Sequence, residues 1–132
     1  MSRILVVDAS VVVDLLARYR PQPLEEMLWA PDTVLTAPEL IDVEVLHALR
    51  KLDQAGTIPT SRRSDLPALL RGLRIRKYRH DTLIEGIWAL RKNLTAYDAA
   101  YVVLARLLGA TLVTRDTRLA QAPGLSVAVA TP

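Results

Sequence analysis

The 132-residue chain has no cysteine, no phenylalanine, only two histidines and only five glycines. Without cysteine there can be no disulfide, no thiolate nucleophile and no cysteine-ligated zinc or iron–sulfur centre. His47 and His80 lie far apart in the chain, which leaves little scope for an imidazole-based metal cluster. Long apolar runs are missing as well. The longest, Ala99–Ala105, is far too short to span a bilayer. The first, Ile4–Val7, stops at Asp8 and is too short for the core of a signal peptide. No membrane association and a cytoplasmic location are therefore expected. With 51% hydrophobic and 23% charged residues, the composition suits a folded chain with a sizeable core, expected as a single domain over 1–132.

Lysine is scarce too, since 14 of the 17 basic residues are arginine. Against 14 acids this gives a net charge of +3. The stretch 62–79 concentrates Arg62, Arg63, Arg71, Arg74, Arg76, Lys77 and Arg79 around a single acid, Asp65. The planar arginine fork grips phosphate, so this run is either a polyanion-binding surface or a solvated face. If 60–73 is one helix, Arg63 and Arg71, eight residues apart, share a face and become candidate RNA contacts.

Arg3–Val7 reads as a buried strand, followed by a helix over Val11–Tyr19 that Pro21 stops. A short helix over Leu24–Trp29, a brief strand at Val34–Leu35 and a long helix over Pro38–Gln54, closed by Gly56, come next. Helix Thr60–Leu73, strand Ile75–Tyr78, helices Asp81–Arg91 and Thr95–Leu108, strand Thr111–Thr114, helix Asp116–Gln121 and strand Ser126–Val129 complete the pattern. Alternating strands and helices predict an α/β domain with a parallel sheet covered on both faces.

Asp8 follows the first strand and Asp116 follows the strand Thr111–Thr114. In open parallel sheets ligands bind beyond the carboxyl ends of strands, where strand order reverses. Each of these acids is equally explained as a helix N-cap. Glu44 falls inside the apolar arc of its helix, with Ile41, Val45 and Leu52, where a lone carboxylate is costly unless paired or bound to a cation. Asp98 lies three residues after Thr95, the spacing of a capping box, at the start of a strongly apolar helix. Carboxylates gathered at one place must protonate or capture a cation. All-oxygen ligation favours a hard ion, Mg²⁺ or Mn²⁺, which can neutralise charge on a phosphodiester. Acids for a metal and arginines for a polyanion together suit a nuclease.

The segments Val7-Asp8-Ala9-Ser10, Pro38–Glu44, Tyr97-Asp98-Ala99-Ala100-Tyr101 and Val113-Thr114-Arg115-Asp116 resemble, in order, the motifs of PIN-domain ribonucleases. The chain is similar above all to the VapC toxins of bacterial type II toxin–antitoxin pairs, from Ile4 to about Val129. The resemblance implies a Rossmann-like α/β/α sandwich with a small parallel sheet and metal-dependent cleavage of RNA. By position, Asp8, Glu44, Asp98 and Asp116 would form the catalytic quartet, with Asp8, Asp98 and Asp116 as ligands of Mg²⁺ or Mn²⁺. Ser10 and Thr114 would support the pocket. A homodimer and a cognate VapB antitoxin whose C-terminal segment occludes the site are implied as well. Many relatives carry a further acid two positions after the fourth, where this chain has Arg118. Arg115 and Arg118 are then placed to meet RNA phosphate, a partner's carboxylate or solvent.

Two readings from other classes compete with this one. The first is a non-catalytic PIN-like module that binds RNA or a partner. The second is a phosphotransferase with Asp8 as nucleophile, weakened because Lys51, Lys77 and Lys92 all lie away from the expected strand ends. Leu15, Leu16, Tyr19, Met27, Leu28 and Trp29 are more apolar surface than two short helices need for one sheet. They are expected either to be core or to bind the antitoxin segment.

Overall fold

The computed structural model describes residues 2–17 and 22–132. Five strands form one sheet: β1 (Arg3–Val7), β2 (Thr33–Pro38), β3 (Arg76–Tyr78), β4 (Thr111–Val113) and β5 (Val129–Ala130). Their spatial order is β3-β2-β1-β4-β5 and every neighbouring pair is parallel. The chain winds from β1 outward to β3 on one side, then returns to place β4 on the other side of β1. Strand order thus reverses between β1 and β4, and the carboxyl ends of these two strands open the crevice where α/β sheets hold ligands.

The helices are α1 (Ala9–Ala17), α2 (Gln22–Leu28), α3 (Ile41–Gln54), α4 (Thr60–Arg63), α5 (Leu66–Gly72), α6 (Ile84–Ala89), α7 (Ala96–Leu108) and α8 (Thr117–Ala120), with a 3₁₀ turn at Asp81–Leu83. Helix α7 lies against β1, β2 and β4, while α1 contacts α3 and α5. Leu5, Val6 and Val7 are buried between these layers, which is why β1 is a continuous apolar run instead of an alternating one. Seven consecutive residues of α7, Ala99–Ala105, are buried for the same reason. Among the described residues no helix is long and apolar enough to cross a membrane.

Several sequence expectations are corrected. Pro38 ends β2 opposite Tyr78 and does not open the long helix, because the strand runs to the rim before the chain turns. The expected helix over 60–73 breaks at Ser64–Asp65 into α4 and α5, so a shared face for Arg63 and Arg71 does not follow from helical spacing. The helix expected over 81–91 starts as a 3₁₀ turn, and the last strand is Val129–Ala130 where 126–129 was expected. Leu15, Leu16 and Leu28 are core, because the first two sit on a helix pressed between its neighbours. Met27 is half-buried and Trp29 half-exposed, while Tyr19, Pro21 and the end of the expected first helix lie outside the described residues.

Gly86 of α6 packs directly against Val103 of α7. A Cβ added there would stand 2.7 Å from Cγ1 and 2.9 Å from Cγ2 of Val103, a stiff and buried side chain. Gly86→Ala should therefore destabilise the chain by about 1–3 kcal/mol, despite the better helix propensity of alanine. Urea unfolding checks this. An unchanged midpoint would mean that the two helices part freely.

Candidate active site

The rim at the carboxyl ends of β1 and β4 is built around Asp8. Its backbone N–H still continues the ladder, donating to Val113 O at 3.2 Å, so the residue is fixed by the sheet although it lies one position past the strand. The residue is 7% exposed, and its carboxylate takes three hydrogen bonds. Ser10 Oγ donates to Oδ1 at 2.5 Å, the Val11 N–H donates to Oδ1 at 3.3 Å, and Thr114 Oγ1 donates to Oδ2. Both hydroxyls are themselves oriented, since Ser10 Oγ accepts from the Arg115 N–H (2.9 Å) and Thr114 Oγ1 from the Asp116 N–H (3.0 Å). The turn after β4 thus locks the acid at the end of β1.

Asp8 caps α1 through the Val11 N–H while its carboxylate stands at the rim, so capping does not exclude it from a site there. Burial pushes its carboxyl above the usual carboxylate range, and the charge of Asp98 adds to this. The Ser10, Thr114 and Val11 hydrogen bonds oppose the rise without cancelling it.

Glu44 lies in the first turn of α3, half-exposed, with Oε1 accepting from the Tyr101 hydroxyl of α7 at 2.6 Å. Burial raises its carboxyl most, and Asp98 and Asp8 raise it further, while the Tyr101 bond lowers it. Asp98 stands in the first turn of α7, whose cap is Thr95, with Oγ1 accepting from the Asp98 N–H at 3.1 Å. Burial and the charge of Asp116 raise the Asp98 carboxyl, against the lowering effects of Thr95 and Arg118. Asp116 caps α8, with Oδ1 accepting from the Arg118 N–H at 2.9 Å. The Arg118 guanidinium lies 3.6 Å from that oxygen and is almost wholly exposed.

The four acids thus lie near one rim, with Asp98 acting on the charge of Asp8 and Glu44, Asp8 on that of Glu44, and Asp116 on that of Asp98. A groove of about 540 Å³ runs beside them, lined by Ser10, Asp14, Glu44, Arg115 and Asp116 among others. Among the described residues, no Lys or Arg forms an ion pair with Asp8 or Glu44. No three Asp, Glu or His side chains are drawn together tightly enough to cage an ion. The donors at the rim are all oxygen, the donor type that hard ions such as Mg²⁺ take. A buried Asp8 and part-buried Glu44 and Asp98, their carboxyls raised by neighbouring acids, fit a divalent cation.

The basic candidates lie apart from this set. Arg63 Nε sits 2.5 Å from Asp53 Oδ1 at the end of α3, and Arg71 is exposed on α5. Arg115 does line the groove, but its Nε donates to Asp14 Oδ2 at 2.9 Å. Three participants were not singled out from the sequence. In the sequence Tyr101 stands out only as a member of the Tyr97–Tyr101 motif, with no role of its own, and Asp14 not at all. His80 Nε2 accepts from the Leu40 N–H at 3.0 Å, holding the start of the helix that carries Glu44. These roles arise from partners 40 to 101 residues away, so no local pattern announces them.

The PIN domain family profile matches residues 5–125 of the chain. Ribonuclease VapC1 of Mycobacterium tuberculosis is 41% identical over 121 residues, 91% of each chain. Ribonuclease VapC3 of the same organism is 37% identical over 117 residues, 89% of this chain and 85% of that one. A toxin–antitoxin complex from Klebsiella pneumoniae shares the fold, with a TM-score of 0.66 at 20% identity and 97% of both chains covered.

Proposed function

Since the chain belongs to the PIN-domain family, and within it to the VapC ribonucleases, we propose that it is a metal-dependent endoribonuclease toxin restrained by an antitoxin. The observation that carries the finer reading is the electrostatics of the rim. Asp8, Glu44 and Asp98 all have raised carboxyl pKa values, from burial and from neighbouring acids, and among the described residues no Lys or Arg pairs with Asp8 or Glu44. Such a cluster is held in place by the fold at a cost to the empty protein, and a divalent ion relieves that cost.

Asp8, Asp98 and Asp116 would hold Mg²⁺ or Mn²⁺. When bound, the ion supplies neutralisation of the charge developing on the scissile phosphate and a more acidic water. Ser10 and Thr114 keep the Asp8 carboxylate in one orientation, so no rotamer search precedes binding. Glu44 serves as the proton acceptor for the attacking water. Its raised pKa brings it nearer to neutral pH, where a general base is most effective. Arg115, steered by Asp14, lines the groove and contributes to holding RNA phosphate. Arg63 and Arg71 are secondary contacts of an RNA that extends beyond the groove.

The antitoxin segment of the VapB kind would cover the acid rim. Its apolar part would meet the half-exposed Trp29 and Leu69 beside the groove between α1, α2 and α5. The chain is expected to pair with a second copy and to act in the cytoplasm.

The test is incubation of the purified chain with RNA in Mg²⁺, in Mn²⁺ and in EDTA, followed by sequencing of the product ends. Discrete new ends that need a divalent ion support the reading. Tight RNA binding without cleavage in any ion would favour the non-catalytic module instead.

A further inference from the structure

Glu44 and Asp98 come from opposite layers of the sandwich, on α3 and α7, and something must fix one relative to the other. Among the described residues a single hydrogen bond joins these two helices and no ion pair does. It is the bond from Tyr101 Oη to Glu44 Oε1, at 2.6 Å. Tyr101 is 2% exposed and lies one turn after Asp98 on α7. Both ends of the bond therefore sit on regular helices, and the phenol is immobilised by the core around it. We propose that Tyr101 is a positioning residue, a rigid neutral donor that holds Glu44 Oε1 from across the sandwich and leaves Oε2 as the oxygen that receives a proton at the groove.

Three observations support this beyond the distance. First, Oε2 accepts no hydrogen bond among the described residues, while Oε1 is engaged, so the two oxygens are already differentiated. Second, the phenol is a donor at every working pH. Burial and the neighbouring Glu44 push its pKa far above the usual tyrosine value, so it never competes for the proton that Glu44 is to take. Third, the donor is uncharged. An arginine or lysine in the same place would hold Glu44 more strongly, yet it would add a positive charge to the rim and repel a divalent ion. A phenol opposes protonation of Glu44, as the lowering effect of this bond indicates, and keeps the groove negative. Tyr101 touches neither the groove nor a reacting atom in this account and acts only through Glu44.

The inference rests on Glu44 being the proton acceptor, and the experiment separates the two ideas. Tyr101→Phe, Glu44→Gln and the double variant are compared with the unaltered chain for kcat, KM and thermal unfolding. RNA affinity is measured in each on an Asp8→Asn background. A hydrogen bond to a charged group is worth enough that Tyr101→Phe should lower kcat about tenfold or more. KM and RNA affinity should stay within about twofold. In the Glu44→Gln background the same change should cost nothing further, because the only route of its effect is already gone. In the ion-free protein, the Glu44 carboxyl carbon followed by NMR should titrate at higher pH in Tyr101→Phe than in the unaltered chain.

Equal losses from Tyr101→Phe in both backgrounds, or full activity in Tyr101→Phe beside an inactive Glu44→Gln, overturn the positioning role alone. An active Glu44→Gln overturns the proton-acceptor reading on which it stands. The NMR arm needs neither cleavage nor a metal, so an unshifted Glu44 titration counts against the inference even if no RNA substrate is found. Should Tyr101→Phe unfold, a Tyr101→Phe/Glu44→Gln protein that folds normally would still reveal the coupling in its stability.

Discussion

Asp8→Asn is expected to reduce RNA cleavage by about a thousandfold or more while the chain stays folded. The substitution keeps the size and shape of a side chain that is 7% exposed and held by Ser10, Thr114 and the Val11 N–H. An amide retains one acceptor oxygen, and the hydroxyl facing its nitrogen can turn to accept. What disappears is the charge. Because burial raises the Asp8 carboxyl, the ionised form is a burden on the folded chain at neutral pH, and its removal should not lower the melting temperature in the absence of divalent ions. Initial rates on a fluorescent RNA and circular dichroism melts in EDTA provide the measurement. Cleavage within tenfold of the unaltered chain would exclude Asp8 from the site. A lost melting transition would instead assign Asp8 to the fold.

Divalent ions and pH should act on stability in opposite directions through the same acids. Asp8, Glu44 and Asp98 have folded pKa values raised above those of the unfolded chain. Their contribution to stability is fully present below the unfolded carboxylate pKa and is lost as pH rises through the raised folded values. The ion-free chain is thus penalised increasingly as pH rises through those values. Mg²⁺ or Mn²⁺ at about a hundred times its dissociation constant should return roughly 2.7 kcal/mol, a rise in melting temperature on the order of 10 °C for a chain of this length. The rise should shrink as pH falls into the raised carboxylate range, because protons then compete for the same oxygens. It should vanish in Asp8→Asn and persist in part in Asp116→Asn. Asp116 is half-exposed, already caps α8 and has Arg118 where a second acid would strengthen that corner. A thermal shift equal in Asp8→Asn and the unaltered chain would place the ion elsewhere.

The sequence by itself determined the alternation of strands and helices, because β1 and α7 are buried by composition. Ile4–Val7 and Ala99–Ala105 are apolar runs that can only be interior, and Gly109, at φ 59°, ends α7 where its own conformational freedom dictates. The sequence also singled out Glu44, a carboxylate costly inside an apolar helix face, while Asp8, Asp98 and Asp116, each explicable as a cap residue, joined it through the resemblance to PIN-domain ribonucleases. It could not mark where helices break. The interruption at Ser64–Asp65 and the extension of β2 through Pro38 depend on what the neighbouring layers bury, not on local propensity. Nor could it separate core from surface among Leu15, Leu16 and Leu28, because apolar side chains look alike until the layer covering them is placed.

Only the tertiary structure decided the polar partners. Thr114 reaches Asp8 across 106 residues, Tyr101 reaches Glu44 across 57, and Arg115 is bound to Asp14 across 101. Such bonds join residues on different elements, and their energies depend on distance and burial that no spacing along the chain encodes. The four acids are written in the sequence, whereas the side chains that hold two of them in place are supplied by the strand order that returns β4 to the side of β1 and by the layer of α7 laid across both.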